Sequence, residues 1–223
     1  NMTKNLSNED LRLNVSNINH FDRMFGSDGI EGGQSATIGF EYKKSDLKGN
    51  EKVNFELFQV LRDKENKDLP IKSSLDQKYS DIIGRLKLKT NNNLNFQYNF
   101  MVDNNLEDTN LNSIVAEFKV NNFVTNFEFL EERNFAGSKS FISNNTSFKF
   151  NDKNSILFAT RKNKEIDLTE FYNLVYQYEN DCLKAALEYN KAFYTDGDLK
   201  PEEELFFSIT IIPFTKLNTT NLN

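Results

Sequence analysis

Apolar residues in this chain alternate with polar ones instead of recurring at helical spacing. Leu94, Phe96, Tyr98, Phe100 and Val102 occupy every second position, with Asn95, Gln97, Asn99, Met101 and Asp103 between them. A period of two sends one set to each face of a β-strand. The same pattern runs through Ala36, Ile38, Phe40 and Tyr42, and through Ile114, Ala116, Phe118 and Val120. It returns in Leu183, Ala185, Leu187 and Tyr189, and finally in Leu205, Phe207, Ile209 and Ile211. It predicts twelve strands, over residues 11–18, 34–44, 52–62, 80–90, 94–103, 113–120, 124–131, 141–150, 155–162, 172–179, 183–194 and 205–214. In 155–162, Ile156 and Phe158 compete with Leu157 and Ala159 for the apolar face.

The connections carry a second signal. Short ones (Ser45–Glu51, Asn91–Asn93, Asn121–Phe123, Asn151–Asn154, Asn180–Cys182) alternate with long ones (Asn19–Gly33, Asp63–Tyr79, Asn104–Asn112, Glu132–Ser140, Asn163–Phe171, Thr195–Glu204). Asn tolerates left-handed backbone angles and caps its own turn, so it takes the role of Gly in the short turns. Two architectures fit such a meander. A soluble sandwich or barrel buries its alternating face in a core, and its loops need not alternate in length. A transmembrane barrel turns the apolar face to lipid and the polar face to a wet interior, with short turns at one end and long loops at the other. The alternation of connections favours the transmembrane barrel. So does the other face, since Asn95, Gln97, Asn99 and Asp103 would make a poor packed core. The fold class expected is therefore all-β, an antiparallel transmembrane β-barrel meander of about twelve strands.

Composition narrows the function classes. The chain has 223 residues, a net charge of −6, one Cys, one His and no Trp, with 21 Phe and 8 Tyr. It carries 33 Asn against 9 Gly and 3 Pro. No apolar run approaches the ~18 residues of a membrane helix. One Cys with one His cannot build a Cys/His zinc site or an internal disulfide. An acidic chain with no basic block is not expected to take nucleic acid as a partner. Asn1–Asn5 leads into polar residues with no apolar stretch behind it, so no signal peptide is read here. The protein is then either cytoplasmic or a fragment whose export signal lies upstream, and an Asn in first position favours the fragment.

Two segments carry a family resemblance. The first is Asn19-His20-Phe21-Asp22-Arg23-Met24-Phe25-Gly26-Ser27-Asp28-Gly29-Ile30-Glu31-Gly32-Gly33, followed by the strand Gln34–Lys44. The second is Tyr176-Gln177-Tyr178-Glu179-Asn180-Asp181-Cys182-Leu183-Lys184-Ala185-Ala186-Leu187-Glu188-Tyr189, followed by Asp198-Leu199-Lys200-Pro201-Glu202-Glu203 and the last strand. Together they resemble the C-terminal barrel portion of the LPS-assembly family LptD, also called organic solvent tolerance proteins. The terminal strand Leu205–Phe214 ends in an aromatic and resembles the insertion signal read by the outer-membrane barrel assembly machinery.

The resemblance implies more than the pattern. It implies a cell outer membrane location, and residues 1–214 as the C-terminal part of a larger barrel of about 26 strands. A polar, disordered tail would follow at 215–223. It implies no cofactor and no enzymatic chemistry. The partners implied are an LptE-like lipoprotein plug, a periplasmic transport bridge reached through an N-terminal domain, and lipopolysaccharide itself. Lipopolysaccharide would leave sideways into the outer leaflet at a seam. The last strand, Leu205, Phe207, Ile209, Ile211 and Pro213, would form one side of that seam. Asp22, Arg23, Gly26, Glu31 and Gly32 stand in the family's loop motif. Cys182 would bridge to a Cys of the N-terminal region.

Each of these residues also has a plainer reading. Cys182 is otherwise a free thiol in a turn. Pro213 is otherwise an ordinary strand end, since Pro cannot donate to a ladder. His20 with Asp22 and Asp28 lacks a nucleophile and reads as a solvated loop. The pairs Glu131-Glu132 and Glu202-Glu203 suit divalent cations, but loop charge is usually only solvated. The rival functions are a porin-like channel, a soluble β-rich adhesin, and an outer-membrane lipid hydrolase, which would need a Ser–His pair.

Overall fold

The structure is a computed structural model. It describes residues 12–20, 23, 31–69, 71–90, 93–133, 139–193 and 202–211. Eleven strands form an antiparallel meander in which spatial order follows chain order. They are β1 (Ser35–Ser45), β2 (Glu51–Arg62), β3 (Ile82–Thr90), β4 (Leu94–Val102), β5 (Thr109–Val120), β6 (Phe123–Glu132), β7 (Lys139–Lys149), β8 (Asn154–Asn163), β9 (Leu168–Glu179), β10 (Leu183–Ala192) and β11 (Glu202–Ile211).

One expected strand is not there. Residues 12–20 fold as turns, although 11–18 reads as a strand. The reason lies in its Asn residues. Asn14 Oδ1 accepts the N–H groups of Ser16 and Asn17 at 2.8 and 3.1 Å, and Asn17 Oδ1 accepts the N–H of Asn14 at 2.8 Å. These local bonds take the donors that a ladder would need. The strict alternation of connections also softens. β9 begins at Leu168, so the β8–β9 connection is only 164–167, and β5 begins at Thr109, which shortens the β4–β5 loop.

The short turns are built as their composition suggests. Asn180 Oδ1 accepts from Cys182 N and Leu183 N, and Asn151 Oδ1 from Lys153 N and Asn154 N. Asn121 has φ 49° and Gly49 has φ 82°, left-handed angles that these residues tolerate. In the β1–β2 turn, Asp46 accepts from the N–H groups of Lys48 and Asn50. Bonds from Asn50 lead, with those from Lys48 and Lys52 behind them, and hold the Asp46 carboxyl down to about 2.

The chain divides into two compact units, residues 1–118 with 127–141, and residues 119–126 with 142–223. In the first, the register joins Tyr42 to Phe55, Phe55 to Leu86, Leu86 to Tyr98 and Tyr98 to Ile114 on one face. The other face joins Glu41 to Glu56, Glu56 to Arg85 and Arg85 to Asn99. In the second unit the apolar face joins Phe158 to Leu174, Leu174 to Tyr189 and Tyr189 to Leu205. This pairing decides the ambiguous strand: Ile156 and Phe158 lie with Tyr176 and Leu174 on the apolar face.

The first unit has a core, and it sits on the face that bears the polar residues. Val60, Ile83 and Met101 of the sheet pack against Leu13 and Ile18 of the leading segment and Leu69 and Leu75 of the β2–β3 loop. These two segments cover that face at the long-loop end. Ser80 Oγ accepts from Val60 N at 2.9 Å and fastens the loop back onto β2.

Candidate functional site

The leading segment is tied to the sheet by one charged cluster. Glu31 Oε1 accepts from Arg23 Nη1 at 2.6 Å and from Arg62 Nη1 at 2.7 Å. Arg23 also donates through Nε to the carbonyl of Ile18 at 2.7 Å and through Nη2 to Thr37 Oγ1 at 2.8 Å. Arg62 Nη2 donates to the carbonyl of Gly32. The side chains of Glu31 and Arg62 are 3% and 2% exposed. Charges that deep persist only when paired and hydrogen-bonded. Two guanidinium groups on one carboxylate leave an excess of positive charge. Glu31 Oε2 and Arg62 Nε are buried with no hydrogen-bond partner among the described residues.

Three residues of the loop motif, Arg23, Glu31 and Gly32, are therefore brought together. The other two, Asp22 and Gly26, lie outside the described residues. Arg62 was missed by sequence reasoning. Its only signal was a charge at the end of β2 on the same parity as Asn54, Glu56 and Val60. Glu132, weighed above as a cation ligand, is paired with Arg12 and, at 3.2 Å, with Lys72. Glu131 accepts from Asn112 at 3.2 Å and pairs with Arg133. Among the described residues no three His, Cys, Asp or Glu side chains gather as metal ligands. His20 is exposed.

Beside the cluster, an open cleft of about 450 Å³ runs between residues 12–16 and β3, β4 and β5, with Ile83, Met101, Arg85 and Asn99 in its lining. Arg85 is held there by Glu56, with Nε and Nη2 donating to the two carboxylate oxygens at 2.6 and 3.0 Å. Asp81, where the β2–β3 loop meets β3, is buried. Burial lifts its carboxyl above the ordinary value, Asn110 opposes this by donating to it at 2.8 Å, and Asp103 and Asp76 add repulsion.

In the second unit, polar side chains on one face bond to one another. Asn173 Nδ2 donates to Glu188 Oε1 at 2.7 Å and to Asn190, and Asn190 Nδ2 donates to the same Glu188 oxygen at 3.0 Å. The opposite face ends in β11. Leu205, Phe207, Ile209 and Ile211 share one parity there, with Phe207 67% and Ile209 55% exposed. β11 pairs only with β10 among the described residues. Pro213 and the tail 215–223 lie outside those residues. Cys182 is a free, half-buried thiol in the β9–β10 turn.

Comparison with known proteins adds one finding. The family model LptD, described as LPS transport system D, matches residues 3–174. No curated protein matches the chain.

Proposed function

Because the chain belongs to the LptD family of lipopolysaccharide transport proteins, we propose that its sheet is part of an outer-membrane barrel wall that delivers lipopolysaccharide to the outer leaflet. One observation carries this reading: in each unit the strands have an aromatic and aliphatic face and an opposite face of hydrogen-bonded polar side chains. Phe40, Tyr42, Phe207 and Ile209 suit contact with lipid. Asn173, Glu188, Asn190, Arg85 and Asn99 suit a wet lumen that passes a sugar chain.

The rest of the proposal rests on the family membership. β11 forms one side of a seam that opens laterally, with Leu205, Phe207, Ile209 and Ile211 along it. An LptE-like lipoprotein plugs the lumen, and a periplasmic bridge supplies lipopolysaccharide from below. Transport is passive at this point, and no bond is made or broken. The short turns face the periplasm. There Cys182 forms a disulfide with a cysteine elsewhere in the full-length protein, since oxidation is expected in that compartment.

The face assignment is tested with tryptophan, which the chain lacks. In full-length protein in liposomes, Trp at Phe40 or Phe207 is expected to be quenched by brominated lipids. Trp at Asn99 or Ser208 is expected to be quenched by aqueous iodide. The reverse pattern sinks the barrel reading. Transport is tested by depleting cells of their own protein and asking whether this one restores lipopolysaccharide at the surface. Alkylation of Cys182 in the native, unreduced protein would sink the disulfide.

A further inference from the structure

The β2–β3 loop, residues 63–81, is held where it enters β3 by hydrogen bonds between uncharged groups. Ser80 Oγ accepts from Val60 N and donates to the carbonyl of Asp81 at 2.8 Å. Ser80 N donates to the carbonyl of Val60 at 2.9 Å, Arg62 N to the carbonyl of Lys78 at 2.8 Å, and Asp81 N to Ser74 Oγ at 2.7 Å. Ser73, Ser74, Ser80 and Asp81 are all buried. Leu69 and Leu75 of the same loop cover Val60, Ile83 and Met101.

Within this closure one buried carboxylate breaks the rule that the rest of the unit follows. Glu31 is neutralised by Arg23 and Arg62, Glu56 by Arg85, and Glu132 by Arg12 and Lys72. Asp81 is 4% exposed and pairs with no cation among the described residues. Its Oδ2 accepts from Asn110 of β5, which is neutral. The charges that act on it, Asp103 beyond the end of β4 and Asp76 in the loop, both repel it. Asp103 is occupied by the N–H groups of Glu107 and Asp108 at 2.8 and 3.2 Å. Asp76 is repelled in turn by Glu65, and its Oδ1 is buried with no hydrogen-bond partner. The cations of the surrounding elements are engaged elsewhere. Arg62 at the end of β2 is on Glu31, Arg133 after β6 is on Glu131, and Lys72 is on Glu132. Lys78 lies over the Tyr79 ring, and Lys64 and Lys67 are exposed. A carboxyl so placed is favoured in its neutral form, because burial and like charge both penalise the anion.

We propose that Asp81 is a proton-operated latch: protonated, it holds the β2–β3 loop down on the polar face, and ionised, it loosens the loop and uncovers Ile83 and Met101, which line the open cleft. The inference goes beyond the transport reading and does not depend on it. Burial raises the Asp81 carboxyl above the ordinary 3.8 while the loop is closed, and opening returns it toward that value. Closing therefore takes up a proton. The latch is tightest below the ordinary value, weakens as pH rises from there through the closed-loop pKa, and is level above it.

The test is hydrogen exchange on full-length protein in detergent, read at the amides of Val60, Arg62, Ser80 and Asp81, which donate across the closure. Protection factors are referred to the intrinsic exchange rate at each pH. From pH 4 to pH 8 they are expected to fall at least about threefold, while those of the β3–β4 ladder stay level. Asp81→Asn keeps the shape and an acceptor for Asn110 and is neutral at every pH, so it is expected to hold the acid-form protection throughout. Asp76→Asn removes one repulsion and is expected to shrink the fall. Level protection in the wild type, protection that rises with pH, or an undiminished fall in Asp81→Asn overturns the proposal. If Asp81→Asn does not fold, Asp76→Asn decides, and an undiminished fall there overturns it. A fall shared equally by the β3–β4 ladder would be global loosening and would overturn the latch. Magnesium that restores the acid-form protection at pH 8 would make the carboxylates a cation site and also overturn it.

Discussion

Replacing Glu31 by Gln tests whether the charged cluster fastens the leading segment to the sheet. The substitution keeps the shape of the side chain and one acceptor oxygen. It removes the charge that two guanidinium groups share at 2.6 and 2.7 Å. Arg23 keeps its bonds to the Ile18 carbonyl and Thr37 Oγ1, and Arg62 keeps the Gly32 carbonyl, so the polar hydrogens stay mostly satisfied. What is lost is neutralisation of two charges in a site only 2–8% exposed. Breaking a buried ion pair from one side costs about 3–5 kcal/mol, because the remaining charge stays buried. We expect a loss of that size in reversible urea unfolding of the full-length protein in detergent. Hydrogen exchange should rise first in residues 12–20, where the strap is held. A double-mutant cycle with Arg62→Met should give a coupling above about 1.5 kcal/mol, within the range for residues of one network. A Glu31→Gln variant within about 1 kcal/mol of wild type, or additive single variants, would refute the reasoning.

Other outcomes follow from particular contacts. A Cβ on Gly84 would meet the Phe100 ring at 2.0 Å, and one on Gly39 the Phe58 ring at 2.0 Å; Gly84→Ala and Gly39→Ala should each lose about 1–3 kcal/mol, and Phe58→Leu should relieve Gly39→Ala if the ring is the obstacle. Ile209→Lys on the apolar face of β11 should lose up to about 2–4 kcal/mol of folding free energy in lipid vesicles, while neighbouring Thr210→Lys should change little; equal losses would refute the face assignment. Asp46 lies in the β1–β2 turn with its pKa held down to about 2, below the ordinary 3.8. A depressed carboxyl stabilises above the unfolded pKa and loses that contribution as pH falls through the folded one. The protection factors of the Lys48 and Asn50 amides, referred to the intrinsic exchange rate at each pH, should therefore stay flat from pH 8 to 5 and fall only toward pH 2, and Asp46→Asn should flatten that acid limb.

Much of the fold was legible because a strand writes its two faces into alternate residues. Leu94 to Val102 and Leu205 to Ile211 needed no partner to be read, and the Asn-rich turns at 151–154 and 180–182 fold through the side-chain bonds their composition suggests. Residues 11–18 misled because Leu11, Leu13 and Val15 alternate while Asn14 and Asn17 satisfy the backbone locally. β5 and β9 begin earlier than the sequence suggests because Thr109 and Thr169 look like loop residues until the neighbouring strand pairs with them.

By itself the sequence determined the period, the turn chemistry and a family motif containing Arg23, Glu31 and Gly32. Only tertiary structure decided what those motif residues do. Arg62 is 39 positions from Arg23 in the chain, and nothing local says that both will share Glu31. Nor did alternation reveal that Leu13, Ile18, Leu69 and Leu75 would cover Val60, Ile83 and Met101 on the face that otherwise carries the polar residues. Periodicity reports which side of a strand a residue occupies, because that depends on backbone geometry alone. What lies against that side depends on where distant segments return, and that is decided by the burial and charge pairing of the folded chain.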